Sequence, residues 1–133
     1  EWAGFIWFQG WNDMFDSQAL AEYEQNLVHL VKDLRKEFKS PKLPVVIGEL
    51  GNGGPKAGAN MLAIRAAQKS AAERKGFKGN VKFVSTTAFA RPKEESPNMG
   101  HGHHWFGNAE SYFLIGDALG KGMLELLDRY PAH

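Results

Sequence analysis

The sequence predicts an α/β domain built on a parallel sheet, and three observations carry that expectation. Short runs of strand formers alternate with longer segments of helical periodicity, the order that gives parallel strands joined by right-handed crossovers. The run Val45-Val46-Ile47 is continuously apolar rather than alternating, as suits a strand covered on both faces. The first two strand-like runs end in polar, glycine-containing turns, where open α/β sheets collect ligands and catalytic groups.

The first strand is expected over residues 4–8, followed by a loop over 9–16. A helix over 17–38 follows, because Leu20, Tyr23, Leu27, Leu30, Val31, Leu34 and Phe38 recur at three- and four-residue steps. Ser17 is its expected N-cap. The second strand spans 44–50. A glycine-rich stretch over 51–58 then leads to an alanine-rich helix over 60–75, expected to pack closely on the sheet. The third strand spans 81–86. Residues 87–107 hold two prolines and a histidine cluster, and an unstructured connection of that length is uncommon unless functional or disordered. The last helix, over 108–127, takes Asn108 as N-cap and should bury Tyr112, Ile115, Leu119, Met123 and Leu126 or Leu127. Three strands and three main helices leave at least one sheet edge that a complete domain would cover. The chain therefore reads as one incomplete domain.

Its 133 residues are enough for one domain. With 43% hydrophobic and 23% charged residues and a formal net charge of +1, nothing electrostatic argues for nucleic acid or an anionic membrane as a partner. No apolar run approaches the ~20 residues that span a bilayer. The absence of cysteine excludes disulfides and thiolate chemistry.

Candidate chemistry concentrates in three places. In Gln9-Gly10-Trp11-Asn12-Asp13, a glycine N–H and an asparagine amide have the character of an oxyanion hole, although Asn12-Asp13 equally suits a simple turn. In the cluster His101, His103 and His104, one imidazole facing the strand ends would serve as a general base. The same cluster also admits a transition-metal site or a solvated loop, without HExxH or another tight ligand spacing. Glu49, flanked by glycines at the end of the second strand, would orient a base, bind a sugar hydroxyl, attack as a nucleophile or hold backbone N–H groups. Arg65 and Gln68 share a helix face and are expected to tie loop ends together rather than touch substrate. Trp11 and Trp105 fall in the candidate loops, where flat rings suit sugars. His29 lies off the apolar stripe and is expected in solvent, and His133 belongs to the tail.

These motifs, in order, are similar to one known group. They are Trp7-Phe8-Gln9-Gly10 with Asn12, then Leu43 through Leu50, then Arg65-Ala66-Ala67-Gln68, and finally His104 through Tyr112 leading into Ile115-Gly116. The chain resembles the C-terminal half of the SGNH-type sialate O-acetylesterase and acetylxylan esterase group of carbohydrate esterases. The resemblance implies a three-layer α/β/α, flavodoxin-like fold and removal of acetyl groups from sugar hydroxyls through an acyl-serine, without metal or cofactor. It implies Gly10 and Asn12 as oxyanion donors and His104 as base; Gln9, Trp11 and Trp105, in the same candidate loops, are expected to contact substrate. It also implies an acetylated carbohydrate as the partner molecule and a secreted or periplasmic full-length protein.

Two departures from the family pattern stand out. None of the serines, Ser17, Ser40, Ser70, Ser85, Ser96 and Ser111, follows a strand in a Gly-x-Ser setting, so the nucleophile is expected on an N-terminal segment outside this chain. The acid usual three residues before the base is replaced by His101, leaving Glu94, Glu95 or Glu49 as partners for His104, or a dyad without a third member. Two alternatives remain open. One is a non-catalytic carbohydrate-binding or assembly module on the same scaffold. The other is a retaining glycosidase with Glu49 as nucleophile and Asn12-Asp13 near the acid, for which a (β/α)₈ barrel of about 250 residues would be needed.

Overall fold

The computed structural model describes residues 2–129, so His133 lies outside the described residues. Three strands, β1 (Phe5–Trp7), β2 (Val45–Gly48) and β3 (Val81–Val84), alternate with three helices, α1 (Ser17–Glu37), α2 (Ala59–Ala72) and α3 (Ala109–Arg129). The strands form one parallel sheet in the order β1-β2-β3, with Trp7 opposite Ile47 and Gly48 opposite Val84. All three therefore end at the same rim.

The sidedness of β2 builds the layers. Val45 and Ile47 pack with Tyr23, Leu27 and Val31 of α1 and Ile64 of α2. Val46 turns the other way, into a cluster with Ile115, Leu119 and Leu126 of α3. The continuous apolar run is thus a strand buried on both faces, as the α/β/α expectation requires. Among the described residues β1 has a neighbour on one side only, and Ile6 at its centre is exposed.

Local chemistry sets the helix ends. The N-cap of α1 is Asp16 rather than Ser17. Asp16 has extended backbone, and its Oδ1 accepts the Ala19 N–H at 2.8 Å. A carboxylate there also faces the positive end of the helix, which a serine hydroxyl does not match. Asn108 caps α3 as expected, with Oδ1 accepting the Ser111 N–H at 3.0 Å. Helix α2 stops at Ala72, short of the expected residue 75, and the turn Lys75–Phe77 buries Phe77 instead. Residues 87–107 are not structureless: they contain three 3₁₀ segments, Thr87–Phe89, Lys93–Glu95 and Gly102–Gly107. Tyr112 is not buried on α3. It is exposed because its hydroxyl reaches out to donate to the His104 carbonyl. His29 lies in solvent beside Gln25. Among the described residues no helix is long and apolar enough to cross a membrane.

Candidate active site

At the carboxyl rim, the β1 exit meets the loop ahead of α3 across an open cleft of about 510 Å³. Gln9, Gly10, Trp11 and Asn12 line one side, and His103, His104, Trp105 and Tyr112 the other. The side chains expected to supply the oxyanion donor and the base are therefore brought to one cavity. Glu49, Glu94 and Glu95 do not line it, and neither does Asp13. Glu94 and Glu95 sit exposed on the Lys93–Glu95 turn.

The β1 exit is pinned from below. The Gln9 carbonyl accepts from the Tyr23 hydroxyl at 2.5 Å and from Gln68 Nε2 at 3.1 Å. The Tyr23 oxygen in turn accepts from Trp7 Nε1 at 3.1 Å. Gly10 is buried with φ at +147°, a backbone region that side chains rarely adopt. A Cβ there would meet Ile64 Cγ2 at 3.0 Å and the Tyr23 hydroxyl at 3.1 Å. Only glycine keeps the chain this close to the core. Gln9 Nε2 donates to Asp13 Oδ2 at 2.7 Å, which bends the turn back on itself. Asn12 is exposed, and among the described residues its side-chain amide has no hydrogen-bond partner. That leaves its N–H groups free for a ligand.

The histidine loop is held against its own conformational preference. Trp105 and Phe106 both have positive φ, 51° and 54°, each costing roughly 1–2 kcal/mol for a residue with a Cβ. Several contacts offset that cost. Trp105 is 5% exposed and stacks on Phe8 with centroids 6.3 Å apart. Asn52 Nδ2 donates to the Gly102 carbonyl at 2.9 Å, and the Tyr112 hydroxyl donates to the His104 carbonyl at 2.8 Å. His101 Nδ1 is paired with Asn98 Nδ2. The His103 and His104 rings lie 4.2 Å apart, with Trp11 5.8 Å beyond His103. Partial desolvation, and the neighbouring His104 and His101, hold the His103 imidazole below its ordinary value. Among the described residues no carboxylate bonds to the His104 ring, and no three His, Cys, Asp or Glu side chains are arranged to hold a metal.

The chain matches the family model for carbohydrate esterases described as sialic acid-specific acetylesterase over residues 1–125. It belongs to that family. A probable carbohydrate esterase of Arabidopsis thaliana is 33% identical over 49 residues, 37% of this chain and 19% of the plant protein. The chain thus spans about a fifth of the length of the curated relative that it matches. No solved structure matches it.

In this carbohydrate esterase chain, Glu49, Arg65 and Gln68 form the frame under the cleft. Arg65 spends all three nitrogens on carbonyls of the glycine-rich loop: Nε on Leu50 at 2.9 Å, Nη2 on Asn52 at 2.9 Å and Nη1 on Gly54 at 3.0 Å. Gln68 is fully buried and joins two strand exits, accepting the Leu50 N–H at 2.9 Å while donating to Gln9. The tie between loop ends expected from their shared face is present. Arg65→Met strands three carbonyls in a buried site, and should lower unfolding free energy by about 3 kcal/mol in urea titration. A loss within ~0.5 kcal/mol would show that water replaces the guanidinium at little cost.

Glu49 points away from the cleft toward the β3 exit. Its carboxylate accepts from the Ser85 hydroxyl and from the Thr86 and Thr87 N–H groups at 2.8 and 3.0 Å. Gly51 makes room for this splice, since a Cβ there would lie 2.7 Å from the Thr86 and Thr87 backbone. Burial opposes ionisation of Glu49, but the Ser85 hydroxyl and the two amides outweigh it and hold the carboxyl below its ordinary 4.5. A depressed folded-state value means stability that is present above 4.5 and is lost as pH falls below it. Glu49→Gln should therefore flatten the acid limb of a stability-versus-pH curve. An unchanged limb would assign it to other carboxylates.

Sequence reasoning missed Tyr23 and Asn52 as organisers of the rim. Tyr23 reads as one more residue of an apolar stripe, with its hydroxyl silent in the periodicity. Asn52 reads as turn chemistry between glycines, yet it is 4% exposed and bridges to the histidine loop.

Proposed function

We propose that this chain supplies the oxyanion hole and the base of an esterase that removes O-acetyl groups from sugars. The observation that carries the reading is the single cleft lined by Gly10, Asn12 and His104. Its dimensions suit an acetyl ester beside a sugar ring, and Trp11 offers a half-exposed aromatic face at its edge.

The chemistry follows from that arrangement. A serine hydroxyl attacks the acetyl carbonyl carbon while His104 takes its proton. The Gly10 N–H and the Asn12 amide donate to the oxygen that becomes negative. Collapse breaks the ester bond, and the imidazolium returns the proton to the departing sugar hydroxyl. A water deprotonated by His104 then releases acetate from the acetyl-serine. None of the six serines lines the cleft, and in this reading the nucleophile is supplied by a segment of the domain other than these 133 residues.

That same observation favours a second reading, a carbohydrate-binding or assembly module that retains the esterase scaffold. Acetate release from acetylated xylan and from O-acetylated sialic acid, measured with the native full-length protein, separates them. Release from either supports the esterase. Binding to xylan with no acetate released from any substrate favours the module and ends the catalytic reading.

A further inference from the structure

We propose that the substrate of this site continues past the reacting sugar, with a second pyranose residue seated in a neighbouring cleft on the far side of Trp11. The inference rests on the esterase reading for its first subsite. The second cleft has a volume of about 500 Å³, nearly equal to that of the first, and Trp11 forms a wall of both. The histidine loop divides between them as well: His103 and His104 line the first, Gly102 and Phe106 the second. Trp11 is therefore the wall that the two clefts share, and a chain of sugars laid along its ring would place successive residues in each.

The second cleft has the mixed character that a sugar ring matches. Trp11, Met14, Met61 and Phe106 give it apolar walls suited to the C–H face of a pyranose. Asn52 lines it too; its Nδ2 donates to the Gly102 and His103 carbonyls, while its buried Oδ1 has no hydrogen-bond partner among the described residues. Volumes of this order hold small ligands. Two such clefts in series imply an O-acetylated oligosaccharide or polysaccharide as substrate, rather than a free monosaccharide.

Gly58 provides the test. It lines the second cleft, its backbone angles (φ −71°, ψ 168°) suit any residue, and a Cβ there would meet nothing within 4 Å. Gly58→Phe therefore adds bulk at the wall of the cleft without straining the chain. The native full-length protein and this variant are compared by kcat/KM in two series. The first is O-acetylated xylose against O-acetylated xylotriose; the second is O-acetylated sialic acid, free against linked to lactose. Wild type should favour the oligomer by at least ~10-fold in one series, and Gly58→Phe should cut that preference to within ~2-fold. Equal rates on monomer and oligomer in both series, or a preference that survives the substitution, overturns the proposal. If wild type releases no acetate from any substrate, it is the esterase reading that has failed. The subsite is then judged by tryptophan fluorescence on titration with xylotriose and sialyllactose. A saturable change abolished by Gly58→Phe sustains it. No change, or one the variant retains, removes it.

Discussion

His104→Ala should lower kcat/KM for an acetyl ester by at least ~10³-fold in the native full-length protein. The imidazole lines the cleft beside the proposed oxyanion donors, and its backbone is fixed by the His101 carbonyl on one side and the Tyr112 hydroxyl on the other. Alanine removes the proton acceptor and leaves those backbone anchors in place, so the loss should fall on the chemical step and not on folding. His103→Ala is the necessary comparison, because its ring lies 4.2 Å from that of His104 in the same cavity. It should cost less than ~10-fold. The reverse order of effects would move the base to His103, and equal hydrolysis by wild type and His104→Ala would remove the imidazole from the mechanism.

Asn12→Ala should lower kcat by ~10²–10³-fold with little change in KM, the pattern for a donor that acts on the transition state. Asn12 is exposed, and among the described residues its amide bonds to nothing, so truncation breaks no structural contact. The thermal midpoint should stay where it is. Asn12→Asp should be at least as damaging to kcat, since a carboxylate faces the developing negative charge with an acceptor of the same sign. A fall in thermal stability with kcat preserved would make Asn12 a turn residue and leave Gly10 as the sole donor from this side.

The layered fold was legible because its signals are periodic. Val45-Val46-Ile47 announced a strand covered on both faces, and the stripe from Leu20 to Phe38 announced the helix that covers one of them. The contents of the cleft were legible from motif order, Gly10 and Asn12 at one strand exit and His104 ahead of the last helix. What the sequence concealed was long-range and polar. Tyr23 and Asn52 act on backbone atoms 14 and 50 residues away, and no spacing rule encodes such partners. Glu49 shows the limit from the other direction. Its position at a strand end and its flanking glycines fit a catalytic carboxylate as well as a structural one, and only the direction of its side chain distinguishes them.

The left-handed pair Trp105-Phe106 makes the imidazole loop behave like a loaded spring whose latches include the Trp105 indole, the Asn52 amide and the Tyr112 hydroxyl. Emptying the Trp105 socket would do more than leave a hole, because the backbone beside it would then be free to relax toward ordinary angles and carry the histidines with it. Engineering that enlarges the cleft has more latitude on the Trp11 side, where the backbone carries no such tension, than at the latch itself.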